Sequence, residues 1–319
     1  MTGPLFANYL MVDWSASSVP KQGPNSIWWG ILSRQREGYS WRRGNPATRQ
    51  QAFREIRSLL MDAMMQGGAT LAGFDFPLGY PQGFAEALGL EQRPGGWLPL
   101  WREIARRIHD RPDNHNTRFA TAMEWNQLLT GGPAPFWGCP KLASGPCLQP
   151  RKPKPWPERF PEFRLCEQRV PGVQPVWKLY GAGSVGSQAL TGIPCVLRLY
   201  QDIELNRYSR VWPFQTGLAF PFGLKPTQSV ILFTEVWPSM LTAQPRKGEV
   251  TDEGQVRRLA EWLARMDARG KLSKLLSGPA ELGFRERERV ECEEGWILGA
   301  SAVPTCFAKG DRYASPWRG

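Results

Sequence analysis

Apolar residues in this chain fall into two patterns, short continuous runs and helical stripes, and their order outlines a sheet with helices on it. Residues 8–12 (Asn-Tyr-Leu-Met-Val) run into Asp13-Trp14-Ser15. Residues 70–74 (Thr-Leu-Ala-Gly-Phe) run into Asp75-Phe76-Pro77-Leu78, and residues 229–233 with Thr234 run into Glu235-Val236-Trp237-Pro238. Runs of this length, stopped by turn residues, are the mark of central strands buried on both faces. Two further strands are predicted over residues 26–32 and 39–43. The connections 15–25 and 33–38 carry the Pro, Gly and charged residues of hairpin loops. A helix is predicted over residues 48–66, where Phe53, Ile56, Leu60 and Met64 recur at intervals of three and four. Thr48 can cap its start and Gly67-Gly68 can end it. The first 78 residues therefore read strand, strand, strand, helix, strand.

The rhythm changes after residue 78. Helices are predicted over residues 96–107, 117–129 and 188–198, with a short strand near 211–214. Between them lies a proline-rich stretch, 133–175, that includes Arg151-Lys-Pro-Lys-Pro-Trp-Pro157 and reads as extended and irregular. The strand ending at Glu235 then resumes the sheet. A helix follows over residues 252–269, with Val256, Leu259, Leu263 and Met266 along one side, acids in its first turn and Gly270 at its end. A last helix is predicted over residues 290–302. This gives a single α/β domain, with a core of residues 1–78 and 229–319 and a large insertion or cap, 79–228, between the fourth and fifth core strands.

Composition narrows the class. The chain has 319 residues, of which 41% are apolar, enough for a substantial core without disulfide or metal staples. Six cysteines include no Cys-x-x-Cys pair, and two histidines are too few for a zinc ribbon. No basic, apolar leader opens the sequence and no apolar run approaches membrane-spanning length. A cytoplasmic, soluble protein with reduced thiols is the expectation. The formal charge of +11 comes mostly from arginine spread over several regions. Such a field raises the local concentration of phosphate-bearing ligands, so nucleic acid or another phosphate-bearing substrate is the expected partner.

The acids at the strand ends are the main candidates for chemistry. In α/β sheets, ligands bind beyond the carboxyl ends of the strands. If the three strands are neighbours, Asp13, Asp75 and Glu235 converge there, and converged carboxylates repel unless a cation or proton lies between them. An oxygen-only donor set suits Mg²⁺ or Mn²⁺. Taken singly, each acid can also be a cap for the turn that follows its strand.

The order β-β-β-α-β, then a further strand and a C-terminal helix, resembles the ribonuclease H-like fold. Val12-Asp13-Trp14-Ser15, Phe74-Asp75-Phe76-Pro77-Leu78-Gly79-Tyr80-Pro81 and Thr234-Glu235-Val236-Trp237-Pro238 resemble the signature blocks of domain of unknown function family 429, described as predicted nucleases of that fold. The resemblance covers about a quarter of the chain. It implies a mixed sheet flanked by helices, metal ligands at Asp13 and Asp75, and a further acid on the C-terminal helix. Glu294 is the choice for that acid, with Glu293 beside it and Glu235 as a fourth ligand or the group that orients water. The implied activity is metal-dependent hydrolysis of a phosphodiester.

Other residues bear on the substrate. Ser15, Ser17 and Ser18 follow Asp13, where actin-like ATPases of related core place hydroxyls against ATP phosphates; here Trp14 stands where a glycine usually opens that hairpin. The turn Gly181-Ala-Gly-Ser-Val-Gly-Ser-Gln188, with Ser184, Ser187 and Gln188 ahead of a predicted helix, is either an anion-binding nest or an ordinary tight turn. It lacks the Lys of a phosphate-binding P-loop. Arg118, Arg151, Lys152 and Lys178 are candidate phosphate contacts. His109 and His115, in His-Asp-Arg-Pro-Asp-Asn-His, have no zinc spacing and read as a solvated loop. Two alternatives to a nuclease stay open: a phosphotransferase or phosphohydrolase acting on a nucleotide or small molecule, and a non-catalytic nucleic-acid-binding protein.

Overall fold

The computed structural model describes residues 3–91, 95–170, 172–219, 229–241 and 244–300. Six strands form one mixed sheet: β1 (Asn8–Asp13), β2 (Trp28–Arg34), β3 (Tyr39–Gly44), β4 (Ala69–Phe74), β5 (Ser209–Val211) and β6 (Val230–Glu235). Their spatial order is β3-β2-β1-β4-β6-β5. The first three strands form an antiparallel meander, while β4 runs parallel to β1, and β6 runs parallel to both β4 and β5. The runs that end in acids are indeed adjacent central strands. The strand read as fifth is β6, because the short strand near residue 211 joins the sheet edge as β5.

The helices are α1 (Arg49–Gln66), α2 (Phe84–Ala87), α3 (Trp97–Arg107), α4 (Arg118–Thr130), α5 (Leu165–Arg169), α6 (Gly186–Tyr200), α7 (Thr251–Ala268), α8 (Leu272–Leu276) and α9 (Phe284–Arg289). The Thr48 side chain accepts the Gln51 N–H, capping α1 as its position suggested.

Strand alternation divides the core. Leu10, Val12, Ala72, Phe74, Ile231 and Phe233 point to one face, where they pack with α1, α3, α4 and α6. Tyr9, Met11, Leu71, Val230, Leu232 and Val236 point to the other, covered by α7 and α8. The stripe Val256, Leu259 and Leu263 on α7 is fully buried, and each such side chain contributes about 1.5–3 kcal/mol. Helix α7 lies across β1 and β2. Residues 79–228 supply α3, α4 and α6 to the first of these layers and β5 to the sheet edge, so they share the main core.

The end of the chain departs from the expected helix over residues 290–302. Helix α9 runs into a single π-helical turn, Val290–Glu294, which stops at Gly295 with φ 70°. Ile297 then bridges Glu235 in parallel, and the Leu298 N–H donates to the Glu235 carbonyl at 2.9 Å. Residues 301 and 302 lie outside the described residues.

Candidate metal and phosphate site

Adjacent parallel strands in register bring two of the predicted acids together. Val12 pairs with Phe74, so Asp13 and Asp75 leave the sheet at the same level. The Asp75 N–H donates to the Val12 carbonyl at 2.9 Å, extending the ladder by one step. Alternation turns both side chains to the sheet face that α7 covers. Neither carboxylate accepts a hydrogen bond from any described residue. Burial pushes the Asp13 carboxyl well above the ordinary carboxylate range, and the charges of Asp75 and Asp252 push it further. Burial, then the charges of Glu235 and Asp252, push Asp75 up to about 7. Buried carboxyls held this way favour a proton or a cation.

Asp252 is the acid the sequence reading passed over. It lies in the first turn of α7 and lines the same cleft as Asp13. The Asn25 N–H donates to its Oδ2 at 2.6 Å, tying the β1–β2 loop to the helix. The signal was present in the stripe: Asp252 precedes Val256 by four residues, and residues four apart share a helix face. With Val256 packed on the sheet, Asp252 must come down beside the strand ends.

Glu235 and Glu294 are near this corner of the fold, but their carboxylates are already used. Glu235 falls in register with Phe74, one residue short of Asp75, so alternation turns it to the opposite face. There Arg164, fully buried, donates from Nη2 to Glu235 Oε1 at 2.7 Å and from Nη1 to Oε2 at 2.8 Å. The Leu78 N–H also donates to Glu235 Oε2, at 3.0 Å. A buried charge needs such a partner, and a bidentate guanidinium leaves Glu235 little capacity for a metal. Glu294 accepts from the Gln82 N–H at 3.0 Å and the Leu165 N–H at 2.8 Å, and pairs with Arg289 at 2.7 Å. Glu293 accepts from the N–H groups of Gly83 and Ala85. These two glutamates fasten the C-terminal turn to the loop after β4 rather than joining Asp13 and Asp75.

That fastening accounts for the Asp-Phe-Pro-Leu-Gly block. A Cβ on Gly79 would lie 2.3 Å from the Glu293 carbonyl oxygen, so only glycine lets the loop approach the π-helical turn this closely. The Leu78 carbonyl accepts from Trp101 Nε1 at 2.7 Å. The block therefore fixes the loop that leaves Asp75.

A cleft of about 610 Å³ opens at the end of β1. Asp13, Ser15, Lys21 and Asp252 line it together with Arg118, Ser184, Ser187 and Gln188. Arg118 begins α4 and is only 7% exposed. Its Nε donates to Ser187 Oγ at 2.9 Å, and its Nη1 donates to Ser18 Oγ at 3.0 Å and Asn116 Oδ1 at 2.7 Å. No described carboxylate pairs with it, and its Nη2 makes no hydrogen bond to a described residue. Burial and the neighbouring Arg49 charge depress its pKa to about 10, against the opposing pull of Asp110.

The other expected contacts have structural partners. Gln188 Nε2 donates to the Trp14 carbonyl at 2.7 Å, joining α6 to the exit of β1. Ser15 Oγ accepts the Ser17 N–H at 3.3 Å. Lys178 donates to Gln174 and to the Ala182 carbonyl and does not line the cleft. Lys152 pairs with Glu162 at 2.9 Å, and neither it nor Arg151 lines the cleft. Trp14, at the position where actin-like hairpins carry glycine, is buried and donates to Thr191 Oγ1 at 3.2 Å. Gly186 is needed for packing, since a Cβ there would lie 2.2 Å from the Val176 carbonyl oxygen.

The loop with His109 and His115 is solvated as expected, both histidines being exposed. Within it Asp110 holds Arg49 through Nε at 2.6 Å and Nη2 at 2.7 Å, while Arg49 also donates to the Ser15 and Ser17 carbonyls. Asn114 is buried with φ 71° and accepts the Arg49 N–H. The loop thus sets the position of the serine-rich segment after Asp13.

The donor set at Asp13, Asp75 and Asp252 fits a hard divalent cation: it is all oxygen, and two of the three carboxylates accept no hydrogen bond from the described residues. Among the described residues, no three His, Cys, Asp or Glu side chains are already gathered at coordinating distance. An ion here would take several ligands from water, as Mg²⁺ commonly does. No protein-family model matches the chain, and no curated protein or solved structure matches it. Among the described residues no helix is long and apolar enough to cross a membrane.

Proposed function

We propose that the chain is a metal-dependent phosphodiester hydrolase of ribonuclease H-like fold, as its resemblance to family 429 implies, with a nucleic acid as the leading substrate. The observation that carries the reading is the level pairing of Asp13 and Asp75 at adjacent parallel strand ends, with both carboxylates free of hydrogen bonds to the described residues and the charge of Asp252 acting on both. Asp13 and Asp75 would hold Mg²⁺ or Mn²⁺, and Asp252 would take the helix position first given to Glu294. A divalent ion bound there would make a bound water acidic and offset charge on the leaving oxygen. Asn25 holds Asp252 in place, Arg49 holds the Ser15–Ser17 backbone, and Arg118 and Lys21 bring positive charge to the substrate side. The order β-β-β-α-β with the acids at strand ends supports the fold assignment, and residues 79–228 would be the insertion in that core.

Much of the arginine is spent locally, as in Arg49 with Asp110, Arg57 with Asp202 and Arg257 with Glu249, so the net charge of +11 is a weaker argument for nucleic acid than the sequence alone suggested. The alternative of a nucleotide or small phosphate ester rests on the buried Arg118 in the same cleft as Asp13. The test is cleavage of single- and double-stranded DNA and RNA, beside nucleotides, with Mg²⁺ or Mn²⁺. Wild-type turnover that is lost in Asp13→Asn supports the reading. Turnover that survives in folded Asp13→Asn refutes it.

A further inference from the structure

Arg118 is a buried cation bonded to no carboxylate among the described residues: the charge of Asp110 acts on it, but the Asp110 carboxylate is held by Arg49, and the Arg118 side chain lines the cleft that holds Asp13. Burying a guanidinium costs several kcal/mol unless a charge or a full set of acceptors offsets it. Three acceptors, all neutral, occupy Nε and Nη1, and Nη2 has none among the described residues. The amino end of α6, a 15-residue helix, meets the guanidinium through Ser187. The N–H groups of Ser187 and Gln188 find no acceptor among the described residues. No side chain caps this end. Its free N–H groups and helix dipole favour an anion. Ser187 Oγ is fixed because it donates to the Leu179 carbonyl at 2.6 Å while accepting from Arg118. Gly186, which cannot bear a Cβ, sets the close approach of this helix end to residues 176–178.

We propose that Arg118 and the first turn of α6 form a subsite for a terminal phosphate, a phosphomonoester dianion, rather than for an internal diester. An internal phosphate carries one charge and two ester substituents. Arg118 is walled by Ser18, Asn116, Ser187 and the Phe119 ring, over which its guanidinium stacks at 4.3 Å. That leaves the Nη2 edge to meet an oxygen-rich group with few substituents. A dianion also matches the two sources of positive potential better than a monoanion does. The idea rests on the hydrolase reading only for the role of the subsite, which would place a phosphorylated substrate end relative to the strand-end acids. The subsite itself needs no metal.

The experiment is calorimetric titration of inorganic phosphate, methyl phosphate and dimethyl phosphate into the full chain in EDTA. Wild type, Arg118→Gln, Arg118→Lys and Asp13→Asn are compared after thermal melting confirms that each is folded. Wild type should bind phosphate and methyl phosphate with one site and dimethyl phosphate at least tenfold more weakly. Arg118→Gln should lose at least tenfold in phosphate affinity, and Arg118→Lys should lose less. Asp13→Asn should bind phosphate at least as tightly as wild type, because Arg118 and the first turn of α6 make no hydrogen bond to Asp13. If Arg118→Gln does not fold, Arg118→Lys and the two methyl esters decide. No phosphate binding by wild type, undiminished binding by a folded Arg118 variant, or equal binding of the two esters would overturn the proposal. Because the titration is free of metal, these outcomes are independent of whether Asp13 and Asp75 hold an ion.

Discussion

The N–H of Asp75 donates to the carbonyl of Val12, and this single backbone bond places the Asp75 carboxylate level with that of Asp13 on the next strand. Two parallel strands in register, each breaking one residue after its last ladder pair, are enough to bring two carboxylates to one side of the sheet. Helix α7, whose buried stripe includes Val256, adds Asp252 to the same corner.

Asp13→Asn removes charge and keeps shape, so it should fold with unchanged or raised thermal stability. If the chain is the proposed hydrolase, turnover should fall by more than about 100-fold, the loss that even an outer partner of a metal ligand can cause. Melting curves and metal-supported turnover, measured on the same preparation, check both halves.

Asp75 gives a pH dependence with a definite sign. Its folded value of about 7 lies above its ordinary value near 3.8. Between those values the folded state keeps a proton that the unfolded chain has released, so stability falls as pH rises through that window. The loss should be on the order of a few kcal/mol in metal-free buffer. Asp75→Asn should flatten the profile and be more stable than wild type at pH 8. Denaturant midpoints at several pH values in EDTA make the comparison.

Glu235→Gln should behave as a structural change. It leaves Arg164 buried with only Glu167 as a charged partner and should destabilise the fold by about 3–5 kcal/mol. Mn²⁺ affinity of the folded variant should stay within a few-fold of wild type, whereas Asp252→Asn should weaken it. Chemical denaturation and metal titration of both variants separate the two roles.

Gly79→Ala should cost about 1–3 kcal/mol, because its Cβ would meet the rigid Glu293 backbone at 2.3 Å. Gly83→Ala puts a Cβ into open space at φ 92° and should cost only the strain of that conformation. Their denaturant midpoints should differ in that order.

Much of this fold could be read from local pattern. The stripe of Phe53, Ile56, Leu60 and Met64 and the Thr48 cap predicted α1 to within a residue, and the apolar runs ending in Asp13, Asp75 and Glu235 marked three neighbouring strands. The fates of Glu235 and Glu294 were not legible, because they depend on long-range partners. Arg164 is 71 residues from Glu235, and the N–H groups of Gln82 and Leu165 that hold Glu294 lie even further along the chain from it. Asp252 was legible in principle, since it shares a face with Val256. An acid at the start of a helix has an ordinary explanation in dipole stabilisation, so nothing local to Asp252 sets it apart from Glu253.

The most direct test is a calorimetric Mn²⁺ titration of wild type beside Asp13→Asn, Asp75→Asn and Glu294→Gln. The account predicts binding by wild type, its loss in both aspartate variants, and its retention in Glu294→Gln. It also predicts tighter binding as pH rises through about 7, since the ion must displace protons from Asp13 and Asp75. Absence of binding in wild type, or binding that survives both aspartate substitutions, would contradict it.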